Sequence, residues 1–151
     1  MLPNGRRPAS TLDQQRTAPK TINCGCTREN WVAVENASEC ARALESGFRR
    51  LHVVERDFLG TMADDLGGMF DAVLMNPPFH RGMDIQHIRH ALEMVRTGGV
   101  LVSLCYNGAR QNAELRPIAD RWEVLPDSSF RECGTGASVA MMVTTKKGGA
   151  Q

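Results

Sequence analysis

Asp71-Ala72-Val73-Leu74-Met75-Asn76-Pro77-Pro78-Phe79 reads as a short apolar strand that stops on an amide, two prolines and an aromatic ring. Neither Pro77 nor Pro78 has an amide hydrogen for a sheet ladder, so a central strand cannot run past Met75. Upstream, Trp31-Val32-Ala33-Val34-Glu35 and Leu51-His52-Val53-Val54 are two further short strands; the second runs into Glu55-Arg56-Asp57-Phe58. Between them, residues 37–46 read as a helix closed by Gly47, with Asn36 or Ser38 as cap. Downstream, Ile85, Ile88, Leu92 and Val95 mark one face of a helix over about residues 84–96. His87, Arg89, His90 and Glu93 fall mostly on its other faces, and Thr97-Gly98-Gly99 ends it. Residues 100–105 form a strand apolar enough for burial on both faces. Residues 108–120 hold another helix interrupted by Pro117, and 122–125 and 139–143 are strands separated by the loop 126–136.

Strands alternating with helices imply parallel βαβ units, and such sheets bind ligands at the carboxyl ends of their strands. Glu35, Asp57 and the Asn76–Phe79 tetrapeptide all fall at or just past such ends. The chain has 151 residues, 42% hydrophobic and 23% charged, the composition of one soluble domain with a single core. Residues 1–20, with Pro3, Pro8 and Pro19, read as a disordered or loosely attached arm; the domain spans 21–147 and the tail 148–151. No run approaches the ~18 apolar residues of a membrane span, and Arg6 and Arg7 stand where a signal peptide would be apolar. The expectation is a cytoplasmic protein without membrane contact. Five scattered cysteines, at 24, 26, 40, 105 and 133, suit reduced thiols better than a disulfide framework. A net charge of +1 gives no global field toward nucleic acid.

The tetrapeptide carries the chemistry. The prolines hold the chain rigid and open, so the Asn76 side-chain oxygen and the Pro77 carbonyl can both face a ligand. Two acceptors suit an amino group, whose lone pair they would orient toward an electrophile, and Phe79 offers a flat face for a planar group. His80 and Arg81, next in sequence, are placed to meet a target or its phosphate. Cys24-Gly25-Cys26 and the His87/His90 pair lack the spacing of a metal site, so no metal is expected. Gly134-Thr135-Gly136 reads as a turn or as a segment beside the substrate.

The strand with Asn76-Pro77-Pro78-Phe79, then a helix, Thr97-Gly98-Gly99 and another strand, resembles the class I S-adenosylmethionine-dependent methyltransferases that modify exocyclic or amide nitrogens. With 84–88 and 129–136, the pattern resembles adenine-specific DNA methyltransferase-like proteins of mobile elements, over about residues 31–146. The resemblance implies a Rossmann-like α/β fold, mostly parallel with an antiparallel last strand. It implies S-adenosylmethionine as cofactor, with Glu35 on the ribose hydroxyls, Asp57 and Phe58 at the cofactor's adenine, and Asn76 shared with the target. Asn76, Pro77, Pro78 and Phe79 would be catalytic, with Phe79, His80 and Arg81 binding substrate. Adenine N6 in DNA is the first target it suggests; RNA adenine and protein glutamine use the same logic.

One family feature is missing. A strand leading into a Gly-rich turn normally precedes the ribose-binding acid by roughly 20 residues, and nothing of that kind stands before Glu35. The fold is therefore expected to be N-terminally incomplete. The chain is a truncated relative, or the run 21–24 stands in for the lost strand, or a second copy or partner subunit completes the sheet. A catalytically inactive remnant acting as a binding module is the rival reading.

Overall fold

The computed structural model describes residues 22–24, 31–49, 51–126, 129 and 138–148. The strands are β1 (Ile22–Cys24), β2 (Trp31–Glu35), β3 (Leu51–Glu55), β4 (Phe70–Met75), β5 (Val95–Tyr106), β6 (Arg121–Val124) and β7 (Val139–Thr145). The helices are α1 (Ser38–Gly47), α2 (Met83–Met94) and α3 (Ala109–Glu114), supplemented by single 3₁₀ turns at Phe58–Gly60, Asp64–Leu66, His80–Gly82 and Arg116–Ile118.

One sheet runs in the order β3-β2-β1-β4-β5-β7-β6. The β2–β3 and β4–β5 ladders are parallel, as the βαβ pattern requires. β7 is antiparallel to both β5 and β6, matching the expected reversed last strand. The centre departs from expectation. Ile22–Cys24 occupies it, and β1 is antiparallel to both neighbours, so the sheet is mixed rather than mostly parallel in its ladders. Of the three readings of the gap, the structure takes the stand-in strand. The facing edges of β2 and β4 carry amides and carbonyls that need partners, and even three residues supply some to both sides.

Alternation along the strands sets the core. Val32, Val34, Val73, Met75, Leu101, Cys105 and Met142 turn to one face and pack with Ile85, Ile88, Ala91 and Met94 of α2. On the other face of β5, Val100, Val102 and Leu104 are only half-buried, so this strand is not sealed on both sides as its composition suggests. α2 ends at Met94, two residues earlier than the periodicity predicts, because Val95 is already extended and pairs with Phe70. The glycines that follow shape β5 instead of capping the helix. Gly98 has a φ of +79°, and a Cβ on Gly99 would lie 2.8 Å from the Asp71 carbonyl oxygen. His87 is corrected as well: it is buried, because α2 turns that side toward the loop after β3. Among the described residues no helix is long and apolar enough to cross a membrane. The arm at 1–20, Cys26, Cys133 and Gly134-Thr135-Gly136 lie outside the described residues.

Candidate active site at the carboxyl edge of the sheet

Glu35, Asp57 and Asn76 come together along the edge where β2, β3 and β4 end. Ile22 pairs with both Val34 and Met75, so Glu35 and Asn76 each stand one residue beyond it on opposite sides of β1. Two strand spacings, roughly 10 Å, separate their backbones.

Glu35 is 1% exposed although it ends a strand. One carboxylate oxygen accepts the Ala37 amide at 2.8 Å, which satisfies an early N–H of α1 in place of the expected Asn36 or Ser38 cap. Ser38 instead donates its hydroxyl to Glu55, tying the start of α1 to the end of β3. The Arg56 amide donates to the Glu35 carbonyl at 3.0 Å, so the β3 exit is held against β2.

Asp57 is exposed and opens the 3₁₀ turn Phe58–Gly60. Its carbonyl accepts the Gly60 amide at 3.1 Å and the Thr61 hydroxyl at 2.9 Å, which leaves the carboxylate for solvent or ligand. Phe58 N–H is the first amide of the turn and has no acceptor within it. The Phe58 ring is the anchor beneath: it is buried, stacked on His87 at 5.8 Å and met edge-on by His90 at 4.9 Å. His87 Nδ1 donates to the Met83 carbonyl at 2.7 Å and His90 Nε2 to the Thr61 carbonyl at 2.8 Å. These two histidines serve as packing that ties α2 to the loop after β3. Among the described residues no three metal-ligating side chains gather.

Past β4, Pro77 is buried, Asn76, Pro78 and Phe79 are half-buried, and His80 and Arg81 are exposed. The Asn76 Oδ1 atom is buried and has no hydrogen-bond partner among the described residues. A buried acceptor left unmade costs about 1–3 kcal/mol, which a ligand donor would recover. Arg81 adopts a φ of 55°, an uncommon left-handed conformation for a residue with a side chain, followed by Gly82 at 72°.

The sequence missed the hub behind this loop. Asp84 is fully buried at the start of α2. It accepts the Tyr106 amide at 3.0 Å, its own neighbour's Ile85 amide at 3.0 Å, and Gln111 Nε2 at 3.0 Å on each oxygen. One carboxylate thus joins the signature loop's helix to the end of β5 and to α3. Its only sequence signal is an acid directly after the Arg81-Gly82-Met83 bend.

Cys105 lies close by, fully buried, and burial together with the Asp84 charge pushes its thiol up to about 12. The folded state therefore prefers the neutral thiol, a preference fully present below about pH 9 and lost as pH climbs toward 12. At about pH 8, iodoacetamide is expected to alkylate Cys105 about 10²–10³-fold more slowly in the native protein than in urea, read by peptide mass. Equal rates in the two states would contradict that burial.

The residues fit the nucleoside half of S-adenosylmethionine and a planar amine: a buried carboxylate, an exposed carboxylate beside a free-standing turn amide, and an orphaned amide oxygen. They do not reproduce the Gly-rich turn, because β1 runs the wrong way to present one at this edge.

An rRNA N(6)-adenosine-methyltransferase of Caenorhabditis elegans is 35% identical over 77 residues, covering 47% of this chain and 36% of that protein. TrmN from Thermus thermophilus superposes with a TM-score of 0.56 at 19% identity, over 76% of this chain and 36% of its own. The 16S rRNA methyltransferase RsmC of the same organism, solved with AdoMet and guanosine, gives 0.53 at 19% identity, over 77% and 31%. The chain spans about a third of each of these proteins. The solved structures share the Rossmann-like fold. The match to the methyltransferase small domain runs from residue 12 to residue 128, and the chain belongs to that family.

Proposed function

We propose that this chain is an S-adenosylmethionine-dependent N-methyltransferase unit whose target is adenine N6 in RNA. The observation that carries the reading is the buried, unsatisfied Asn76 Oδ1 beside two residues that cannot donate a backbone hydrogen bond. The RNA-adenosine activity of the Caenorhabditis elegans relative supports RNA over DNA, which the sequence alone had placed first, and over protein glutamine.

Bound at this edge, S-adenosylmethionine supplies an electrophilic methyl group on a sulfonium. Glu35 would hold the ribose hydroxyls, and Asp57 with the Phe58 amide would read the cofactor's adenine ring. Asn76 Oδ1 and the Pro77 carbonyl would accept the two hydrogens of the target amine and so orient its lone pair for methylation, the proton that the amine then gives up passing to solvent. Phe79 stacks on the target base, which must leave any helix to reach the site. No nucleophilic side chain is required, consistent with Cys105 being held as a neutral thiol.

Calorimetry with S-adenosylhomocysteine tests the cofactor half. The wild type should bind with a Kd below about 100 μM, and Glu35→Ala should weaken this at least about tenfold. Transfer of labelled methyl to an adenine-containing RNA, with the same sequence as DNA alongside, tests the target. The reversed β1 favours one second reading, a binding module without stand-alone catalysis. Folded protein that gives no saturable heat at millimolar ligand would select it.

A further inference from the structure

Charge is segregated along the carboxyl edge. Glu35, Glu55 and Asp57 cluster where β2 and β3 end, while His80, Arg81, Arg89, Arg110 and Arg116 lie on the α2–α3 side. The surface carboxylate facing these arginines is Glu114, which is shared: it accepts Arg110 Nε at 3.0 Å and Arg89 Nη2 at 3.1 Å. Arg116 leans on a neutral partner, with Nη1 3.3 Å from Asn112 Oδ1. Among the described residues no carboxylate pairs with Arg81. Arg81, Arg89 and Arg110 against one surface carboxylate leave a positive patch.

Arg81 and Arg110 are brought together by backbone, not by chance of side-chain reach. The left-handed pair Arg81-Gly82 folds the chain so that a Cβ on Gly82 would lie 2.8 Å from Arg110 Nη1. Arg110 therefore rests on the residue next to Arg81, and Gln111 beside it is pinned to the buried Asp84. The side chains of Arg89 and Arg110 remain 60% and 61% exposed while held by Glu114. Guanidiniums that are fixed yet open to solvent suit phosphate oxygens, which accept their forked donors in pairs.

We propose that Arg81, Arg110 and Arg89 bind backbone phosphates of a single-stranded RNA and so seat its adenine against Asn76 and Phe79. This rests on the RNA-methylating reading and adds where the strand lies: over α3 and the start of α2, away from the acidic cofactor side. A single strand suits this surface because its reactive base is already unstacked, whereas a duplex must flip it out at a cost.

The test is fluorescence anisotropy with an adenine-containing single-stranded RNA of about 12 nucleotides across a salt series. Each phosphate contact contributes about 0.7 to the slope of log K against log salt for a single strand. Arg81→Gln and Arg110→Gln should each lower the slope by about that amount. Lys147→Gln should leave it unchanged, because Lys147 sits at the opposite edge near Asp120. Arg110's pair with Glu114 is exposed, so the variant remains folded without it, which a urea midpoint verifies. Unchanged slopes in both arginine variants, or no RNA binding by the wild type at any salt, overturn the proposal. S-Adenosylhomocysteine calorimetry on the same samples separates the two failures. Cofactor binding with unchanged slopes removes this surface and keeps the enzyme reading; lowered slopes without cofactor binding do the reverse.

Discussion

Asn76→Ala is expected to lower methyl transfer to an adenine-containing RNA by about 10²–10³-fold while S-adenosylhomocysteine affinity stays within about twofold. The alanine removes a buried acceptor that has no hydrogen-bond partner among the described residues. The target amine, in contrast, loses one of the two acceptors that aim its lone pair, and an attack misaligned by a fraction of an ångström forfeits most of the gain from positioning. Single-turnover kinetics beside calorimetry would check the split. An equal fall in cofactor affinity and rate would mean that Asn76 acts on the cofactor and not on the amine.

Asp84→Ala is expected to cost about 3–5 kcal/mol of stability, read as a fall in urea midpoint. The substitution strands the Tyr106 amide and both bonds from Gln111 Nε2 in a fully buried site. For a domain held by about 5–15 kcal/mol, such a loss takes a large share of the total. Asp84→Asn keeps the volume but must turn an NH₂ toward one of these donors, so it should fall between wild type and alanine. A midpoint for the alanine variant within about 0.5 kcal/mol of wild type would show that the network is not holding α2, β5 and α3 together.

Most of the architecture was legible because the apolar runs are short and their ends are marked by acids, prolines or glycines. The runs at β2, β3, β4, β6 and β7 are found within one or two residues of the sequence reading. What escaped was long-range. The stretch 94–99 reads as a helix end, yet Val95 is claimed by Phe70 across the sheet, a pairing that no local period encodes. His87 looks polar and outward until Phe58, almost thirty residues earlier in the chain, is seen to stack on it. The Asp84–Gln111 bond joins residues 27 apart, one of them in the first turn of a helix, where an acid is usually solvated. On the site, position along the chain was enough to set Glu35, Asp57 and Asn76 on one edge, since a strand's last residue must lie there. The direction of β1 was not legible. Three residues carry no pattern that separates parallel from antiparallel pairing.

That reversed strand has a consequence for how the molecule comes apart. Among the described residues β1 is the sole hydrogen-bonded link between β2–β3 and β4–β5–β7–β6 in this sheet, and it is three residues long where β5 and β7 match over seven positions. A plate of two short strands and α1 thus shares only a three-residue strip of ladder with a larger plate, the rest of the join being the packing of Val32, Val34 and Phe58 against α2, and the two need not open at the same free energy. Glu35 and Glu55 sit on the small plate, and Asn76 and Arg81 sit on the large one. Partial opening along this join would part Glu35 from Asn76 while leaving the larger plate folded, so a ligand bridging the two would act as a rivet across a seam.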